Sequence, residues 1–267
     1  MSFSLDATLL NALVELSAKA GRVILQAASD GFDIQTKSDD SPVTIADVRA
    51  EETILAGLRQ LLPGVPVLAE ESAAGGDVPV LAGTFICIDP LDGTREFVSG
   101  RPEYTVNLAL VENGRPRLGI LHAPALGRTY WGIEGTGAAR SLHDKGATPL
   151  ADSFTKIHTR EAARPLVALT SRGHNSAPTE AFLDQHNVTE RQRLGSAIKF
   201  GLVAEGAADL YARFTSTMEW DTAAGDAILS AAGGAVLSPD GTPLAYSKNA
   251  ENFRNGPFIA WGRPPEA

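Results

Sequence analysis

The sequence predicts a mixed α/β chain, α+β in its first half and alternating α/β in its second, and three observations carry that prediction. Leu5, Leu9, Leu13, Leu16, Ala20 and Ile24 repeat at helical spacing, and Val48, Leu55, Leu58 and Leu62 do so again before Pro63-Gly64 stops the second helix. From Tyr104 to Ile133 the pattern becomes that of strands parted by Asn113-Gly114 and by residues 124–127, a meander signature. Beyond Gly146 strand and helix alternate: strands at 166–170, 188–194, 209–214 and 235–237, and helices at 177–186, at 197–205 and from Asp221 to about Gly233. We therefore expect residues 1–146 to form two helices over an antiparallel sheet and residues 147–267 to form a mainly parallel or mixed sheet flanked by helices.

Composition bounds the function. A chain of 267 residues with 43% hydrophobic and 6% aromatic content has the make-up of a globular protein. Its formal net charge of −9 provides no electrostatic footprint for nucleic acid or for an anionic membrane, so an anionic substrate must be drawn in by local charge. The single cysteine, Cys87, excludes an intramolecular disulfide, suits a reducing compartment and, inside an apolar strand, reads as a packing residue. No basic region leads into an apolar core at the N-terminus and no stretch is long enough to span a bilayer, which reads as cytoplasmic. Monomer and homodimer both stay open.

The densest chemistry lies in Asp89-Pro90-Leu91-Asp92-Gly93-Thr94, directly after the apolar run Thr84-Phe85-Ile86-Cys87-Ile88. That run reads as a strand buried on both faces, which puts Asp89 at a strand end. Pro90 fixes its own φ and Gly93 permits a backbone that a side chain forbids, so a turn is expected straight after Asp89. Asp89 and Asp92 then converge, and hard oxygen ligands at that spacing suit Mg²⁺ together with substrate phosphate. A short helix from Arg95 would aim the amides of Gly93 and Thr94 at an anion. An isolated Asp-Gly pair would instead close a hairpin; here Glu70 and Glu71 end a second apolar segment, and Asp221 opens the small-residue helix Thr222-Ala223-Ala224-Gly225-Asp226. Taken singly, each of these acids is also what a solvated carboxylate or a helix cap looks like.

These segments resemble the inositol monophosphatase superfamily of Mg²⁺-dependent, lithium-sensitive phosphatases over nearly the whole length. The resemblance rests on Pro42-Val43-Thr44-Ile45-Ala46-Asp47, Glu70-Glu71-Ser72, the hexapeptide at 89–94, and Trp220-Asp221-Thr222-Ala223-Ala224-Gly225 followed by Ala231-Ala232-Gly233-Gly234. Arg95-Glu96-Phe97, Glu103-Tyr104-Thr105-Val106-Asn107, residues 195–206 and 241–246 resemble the bacterial 3′(2′),5′-bisphosphate nucleotidases more than the inositol phosphatases.

The resemblance implies a layered α/β/α/β/α sandwich with the site between the two halves. It implies two Mg²⁺ ions: Asp89 bridging them, Glu70 and the Leu91 carbonyl on the first, Asp92 and Asp221 on the second, and Asp47 reaching a third through water with support from Thr44. Thr94 and Glu70 would orient the attacking water, and no covalent nucleophile is needed. The implied reaction is hydrolysis of the 3′-phosphate of adenosine 3′,5′-bisphosphate to AMP and phosphate, with 3′-phosphoadenylyl sulfate as a further substrate, clearing a by-product of sulfate activation. Inositol monophosphate or another small phosphomonoester is the alternative within the superfamily, and a silent phosphate-sensing protein the alternative outside it.

Departures bear on the substrate. Ala231 stands where many relatives carry a Glu, and the stretch that supplies a sugar-binding Glu in the inositol enzymes here reads Tyr211-Ala212-Arg213-Phe214. A guanidinium and a ring suit a second phosphate and a base, with core packing the plainer role for Phe214. Gly93, Thr94, Ser196, Lys199, Arg213, His174 and Asp221 are the candidate substrate contacts, with Arg172 beside His174. A solvated helix lysine is the plainer reading of Lys199, and a solvated loop that of Arg172 and His174. Gly135-Thr136-Gly137 lacks the third glycine of a dinucleotide loop, Asn187-Val188-Thr189 has no secretory context, and the five histidines show no metal-ligand spacing.

Overall fold

The computed structural model describes residues 5–36, 42–81, 83–162 and 165–264. Helix α1 (Ala7–Asp30) starts on Asp6, whose carboxylate accepts the Leu9 amide at 2.9 Å. A short antiparallel pair, β1 (Ile34–Thr36) and β2 (Pro42–Thr44), leads into α2 (Ile45–Leu61). Strand β3 (Val67–Ala69) runs into α3 (Glu70–Ala74), and β4 (Thr84–Asp92) is followed by α4 (Thr94–Val98). Then come β5 (Thr105–Glu112), β6 (Arg115–Ala123), β7 (Arg128–Ile133), β8 (Gly137–Leu142) and β9 (Thr155–Ile157). Strands β3 to β9 lie in sequence order in one seven-stranded sheet, with β3 parallel to β4 and every later pair antiparallel. Its last strand comes from beyond residue 146.

The second half alternates as expected. It comprises β10 (Val167–Ser171), α5 (Ala177–Gln185), β11 (Glu190–Leu194), α6 (Ile198–Ala204), β12 (Leu210–Arg213), β13 (Thr217–Met218), α7 (Glu219–Ala231), β14 (Ala235–Leu237), β15 (Arg254–Asn255) and β16 (Phe258–Trp261). A five-stranded sheet has the order β11-β10-β12-β16-β14, parallel among β10, β11 and β12 and antiparallel at β16. Strands β13 and β15 form a separate antiparallel pair.

Side-chain alternation stacks these elements. Ile86, Ile88, Leu108 and Leu110 cluster with Leu13, Ile24, Ile54 and Leu58 of α1 and α2. Phe85, Cys87, Ala109 and Val111 leave the opposite face and cluster with Phe200, Ala223, Ala224 and Ile228 of α6 and α7. Tyr211, Phe258 and Ala260 of the five-stranded sheet belong to that same cluster, whereas Ala168, Leu210, Ala212 and Ile259 pack with Leu183 of α5. The result is the five-layer α/β/α/β/α sandwich. Helix α7 sits unusually close to the larger sheet: a Cβ on Gly119 would lie 2.2 Å from the Ala224 carbonyl oxygen, and one on Gly132 would lie 2.5 Å from Ile228 Cα. Small residues on both surfaces let the first turn of α7 approach the ends of β4 and β5.

One local expectation is corrected. The chain does not turn straight after Asp89; β4 continues to Asp92, with Asp89 opposite Asn107 and Asp92 opposite Thr105, so Pro90 and Leu91 together face Val106 in a bulge. Pro90 has no amide hydrogen for the ladder, and the bulge accommodates that loss. The sharp change of direction falls at Gly93, whose φ of 97° favours glycine.

Candidate active site

The bulge is what brings the carboxylates together. Asp89 accepts the Leu91 amide at 2.9 Å, and Asp92, beyond the bulge, accepts the Ala197 amide and faces Asn107 Nδ2 at 3.5 Å. Asp221 lies in the first turn of α7 and accepts the Met218 amide at 2.8 Å. Asp89, Asp92 and Asp221 each present a carboxylate oxygen within 4.8 Å of the other two. Glu70, the first residue of α3, lines the same cavity.

This arrangement is electrostatically costly as it stands. Burial pushes Asp89 well above the usual carboxylate range, and the charges of Glu70, Asp92 and Asp221 push it further. Asp221 rises to about 7, chiefly by burial and then through Asp92, with Arg213 opposing. Asp92 is raised by burial against the lowering charge of Lys199. Acids so placed call for a cation among them, and an all-oxygen donor set of carboxylates fits a hard divalent ion.

Asp47 sits at the start of α2, where its Oδ2 accepts the Thr44 amide at 2.8 Å and the Thr44 hydroxyl at 2.7 Å. Its Oδ1 faces the Thr94 hydroxyl at 3.0 Å. Burial raises Asp47, while the Thr44 and Thr94 hydrogen bonds hold it down. The expected Thr44–Asp47 interaction is therefore present, and it extends to Thr94.

Cationic side chains line the same cavity, of about 710 Å³. Lys199 is no solvated helix lysine: it is 2% exposed, its ammonium donates to the Ser196 carbonyl and lies 4.8 Å from the Tyr211 ring centroid, and burial lowers it to about 8. Arg213 donates to Thr215 Oγ1 at 3.2 Å and to the Ser216 carbonyl at 3.1 Å while lining the cavity. Ser196, with φ 50°, approaches Gly93, where an added Cβ would lie 3.2 Å from Ser196 Cβ. His174 and Arg172 line the same cavity; burial and the Arg213 charge lower His174 to about 4, and Arg172 pairs with Glu103 at 2.7 Å.

Phe214 departs from the base-contact expectation. Its ring lies 5.3 Å from that of Phe182 on α5, in the cluster beneath the smaller sheet. Strand parity is the reason: Tyr211 and Arg213 face the cavity, so Leu210, Ala212 and Phe214 face the other way. The rings that do line the cavity include Phe200, Tyr211, Trp220 and Phe253.

Three buried polar residues were given no role in the site from the sequence. Glu51, one helical turn after Asp47, accepts the amides of Glu71 and Ser72, both at 2.8 Å, and so fixes the helix that carries Glu70. Its spacing of four from Asp47 is the one signal that could have found it. Asn107 stands 3.5 Å from both Asp92 Oδ2 and the Trp220 carbonyl. Glu219, two residues before Asp221, is fully buried.

Comparison with known proteins agrees with this geometry. The inositol monophosphatase family model matches residues 6–258. The 3′(2′),5′-bisphosphate nucleotidase CysQ of Escherichia coli (strain K12) is 40% identical over 252 residues, covering 94% of this chain and 98% of that protein. Among solved structures, CysQ from Bacteroides thetaiotaomicron superposes with a TM-score of 0.77 at 36% identity, covering 98% of this chain and all of that one. The Thermotoga maritima IMPase superposes with a TM-score of 0.75 at 26% identity, covering 93% of this chain and 90% of that one. With a family model spanning almost the entire chain and the acidic motifs gathered in one cavity, the chain belongs to the inositol monophosphatase family.

Proposed function

We propose that this protein is a Mg²⁺-dependent 3′(2′),5′-bisphosphate nucleotidase that converts adenosine 3′,5′-bisphosphate to AMP and phosphate and also accepts 3′-phosphoadenylyl sulfate. The observation that carries the reading is one cavity lined both by a carboxylate cluster and by the cationic side chains of Lys199 and Arg213. A substrate with two separated phosphates matches that layout, and the names of the similar CysQ proteins point the same way.

In this reading Asp89, Asp92 and Asp221, with Glu70 and the Leu91 carbonyl, would hold two Mg²⁺ ions, and Asp47 would serve a third through water. Bound Mg²⁺ supplies charge stabilisation at the phosphoryl group and lowers the pKa of water. Asp47, fixed by Thr44, takes the Thr94 hydroxyl hydrogen and leaves that oxygen's lone pairs free to accept from the attacking water. Glu70 accepts the other hydrogen. Lys199 and Arg213 hold the phosphate that does not react, and Ser196, Gly93 and His174 border the nucleoside between. The chain halves divide the work: residues 1–146 supply Asp47, Glu70, Asp89 and Asp92, and residues 147–267 supply Asp221 and the substrate-selecting side chains.

The test is a comparison of initial rates on adenosine 3′,5′-bisphosphate and inositol 1-phosphate with Mg²⁺. The bisphosphate should be strongly preferred. Preference for the inositol ester would move the protein to the other branch of its family, and no turnover of either would favour a phosphate sensor.

A further inference from the structure

Glu219 is the first residue of α7 and is 0% exposed. A carboxylate at that depth needs partners. It accepts the Ser247 amide at 2.7 Å and the Lys248 amide at 2.8 Å, and the Lys248 ammonium lies 3.5 Å away. Its own amide donates to the Phe253 carbonyl at 2.9 Å. The Lys248 ammonium also donates to Asn255 Oδ1, and Asn255 Nδ2 donates to Thr222 Oγ1 at 2.7 Å. The β13–β15 pair adds Thr217 opposite Asn255. Apart from the Lys248–Asn255 bond, which lies within the strap, these fastenings tie residues 245–255 to residues 217–222, the turn that carries Asp221.

The strap so fastened is strained. Ser247, Asn252 and Phe253 have φ of 77°, 50° and 59°, in the left-handed region that non-glycine residues rarely adopt. Strain of this kind persists only where the surroundings over-determine it. Glu219 is the hub of those surroundings, and the strap it holds contributes Asn252, Phe253 and Arg254 to the cavity wall. Asp221 meanwhile presents a carboxylate oxygen within 4.8 Å of those of Asp89 and Asp92.

We propose that Glu219 is a positioning residue: by buckling the strap at 245–255 to the first turn of α7, it holds the Asp221 carboxylate against Asp89 and Asp92 in the arrangement a divalent cation needs. The proposal rests on the reading of Asp221 as a metal ligand. Glu219 touches neither the cation nor the substrate. Its effect therefore falls on metal affinity before it falls on turnover.

Calorimetric titration of Mg²⁺ into metal-free protein tests this. Glu219→Gln should weaken Mg²⁺ binding by about tenfold, as loss of a group that orients a ligand does, and should raise the half-saturating Mg²⁺ for activity far more than it lowers kcat at saturating Mg²⁺. Ser247→Gly relieves the left-handed strain without touching the carboxylate; it should raise Tm, leave Mg²⁺ affinity unchanged, and recover part of the loss when combined with Glu219→Gln. A folded Glu219→Gln protein with lowered Tm but wild-type Mg²⁺ affinity would make the buckle purely structural and overturn the proposal. Where Glu219→Gln does not fold, Lys248→Met keeps both amides and removes the ammonium, with an expected loss of about threefold; wild-type affinity there overturns the proposal equally. A wild-type protein that binds no Mg²⁺ overturns the metal reading itself, so the two failures are told apart.

Discussion

The Thr94 hydroxyl lies 3.0 Å from Asp47 Oδ1, joining the start of α4 to the start of α2 across 47 positions of sequence. Asp47 cannot swing toward it or away, because its other oxygen is held by the Thr44 amide and hydroxyl. Helix α2 thus delivers a fixed acceptor to a hydroxyl that lines the same cavity as the carboxylate cluster. The Leu91 carbonyl, 3.2 Å from the same hydroxyl, ties this pair to the bulge that sets Asp89 and Asp92.

Replacing Asp47 by Asn places an amide NH₂ either against the Thr44 amide, where a donor meets a donor, or against Thr94, whose hydroxyl then turns to the Leu91 carbonyl and accepts from Asn instead of from water. We expect kcat to fall by about 10²- to 10⁴-fold, the scale of a lost proton-handling group, with KM nearly unchanged. Steady-state rates at saturating Mg²⁺ check this. A fall confined to KM would mean that Asp47 serves binding only.

Asp89→Asn separates stability from catalysis. Removing one charge from three carboxylates within 4.8 Å of one another relieves repulsion, so Tm in metal-free buffer should equal or exceed that of the wild type. The rise in Tm that Mg²⁺ produces in the wild type should disappear, since it reports binding to the folded state. Turnover should drop by several orders of magnitude. Ordinary turnover at saturating Mg²⁺ would remove Asp89 from the metal site.

The acids of the site were legible because two of them share one hexapeptide and another opens a helix made of small residues. The layer order was legible through the family resemblance and through strand parity, which sorts Ile86 and Ile88 from Phe85 and Cys87. The bulge was not, because a register slip depends on what Pro90 faces on β5, and the sequence of β4 does not contain that. Of the two readings open for Phe214 the packing one holds, for a readable reason: Arg213 and Phe214 are adjacent on an extended segment and must point to opposite faces. Lys199 looked solvated because a seven-residue helix offers too few positions to show which side is covered, and its depth arises from Tyr211 and the loop at 194–196. Glu219 finds its partners 28 and 29 residues later, beyond any local pattern.

Lys199 provides the test of substrate choice. It is 2% exposed, so Lys199→Met, which keeps the stem's volume, isolates the charge better than truncation to Ala. Loss of a charge-assisted contact of about 1.5–3 kcal/mol should lower kcat/KM for adenosine 3′,5′-bisphosphate by about tenfold or more. A substrate with a single phosphate should be almost indifferent. Equal losses on both would show that Lys199 supports Asp92 or the fold and does not select the second phosphate.

His122 should leave a signature in the pH dependence of stability. Its Nδ1 is 2.8 Å from Thr129 Oγ1, while its Nε2 is buried with no hydrogen-bond partner among the described residues and packs where a Cβ on Gly21 would come within 2.7 Å. Burial, with the nearby His143 and Arg22 charges adding to it, lowers this imidazole from about 6.5 to about 3. The unfolded chain therefore binds a proton at His122 between those values while the folded chain does not. Stability from this residue is full above about pH 6.5 and is lost as the pH falls toward 3, by up to about 1.4 kcal/mol per pH unit. The raised carboxylates of the cavity act in the opposite sense, since their folded state binds protons first, so the wild-type slope alone is ambiguous. The difference between wild type and His122→Leu removes that background. Urea unfolding in metal-free buffer at pH 7.5, 6 and 5 should show the variant gaining on the wild type as the pH falls, whatever its stability at pH 7.5. A constant offset across the three pH values would mean that His122 takes up its proton alike in the folded and unfolded chain, so that its burial does not hold it neutral.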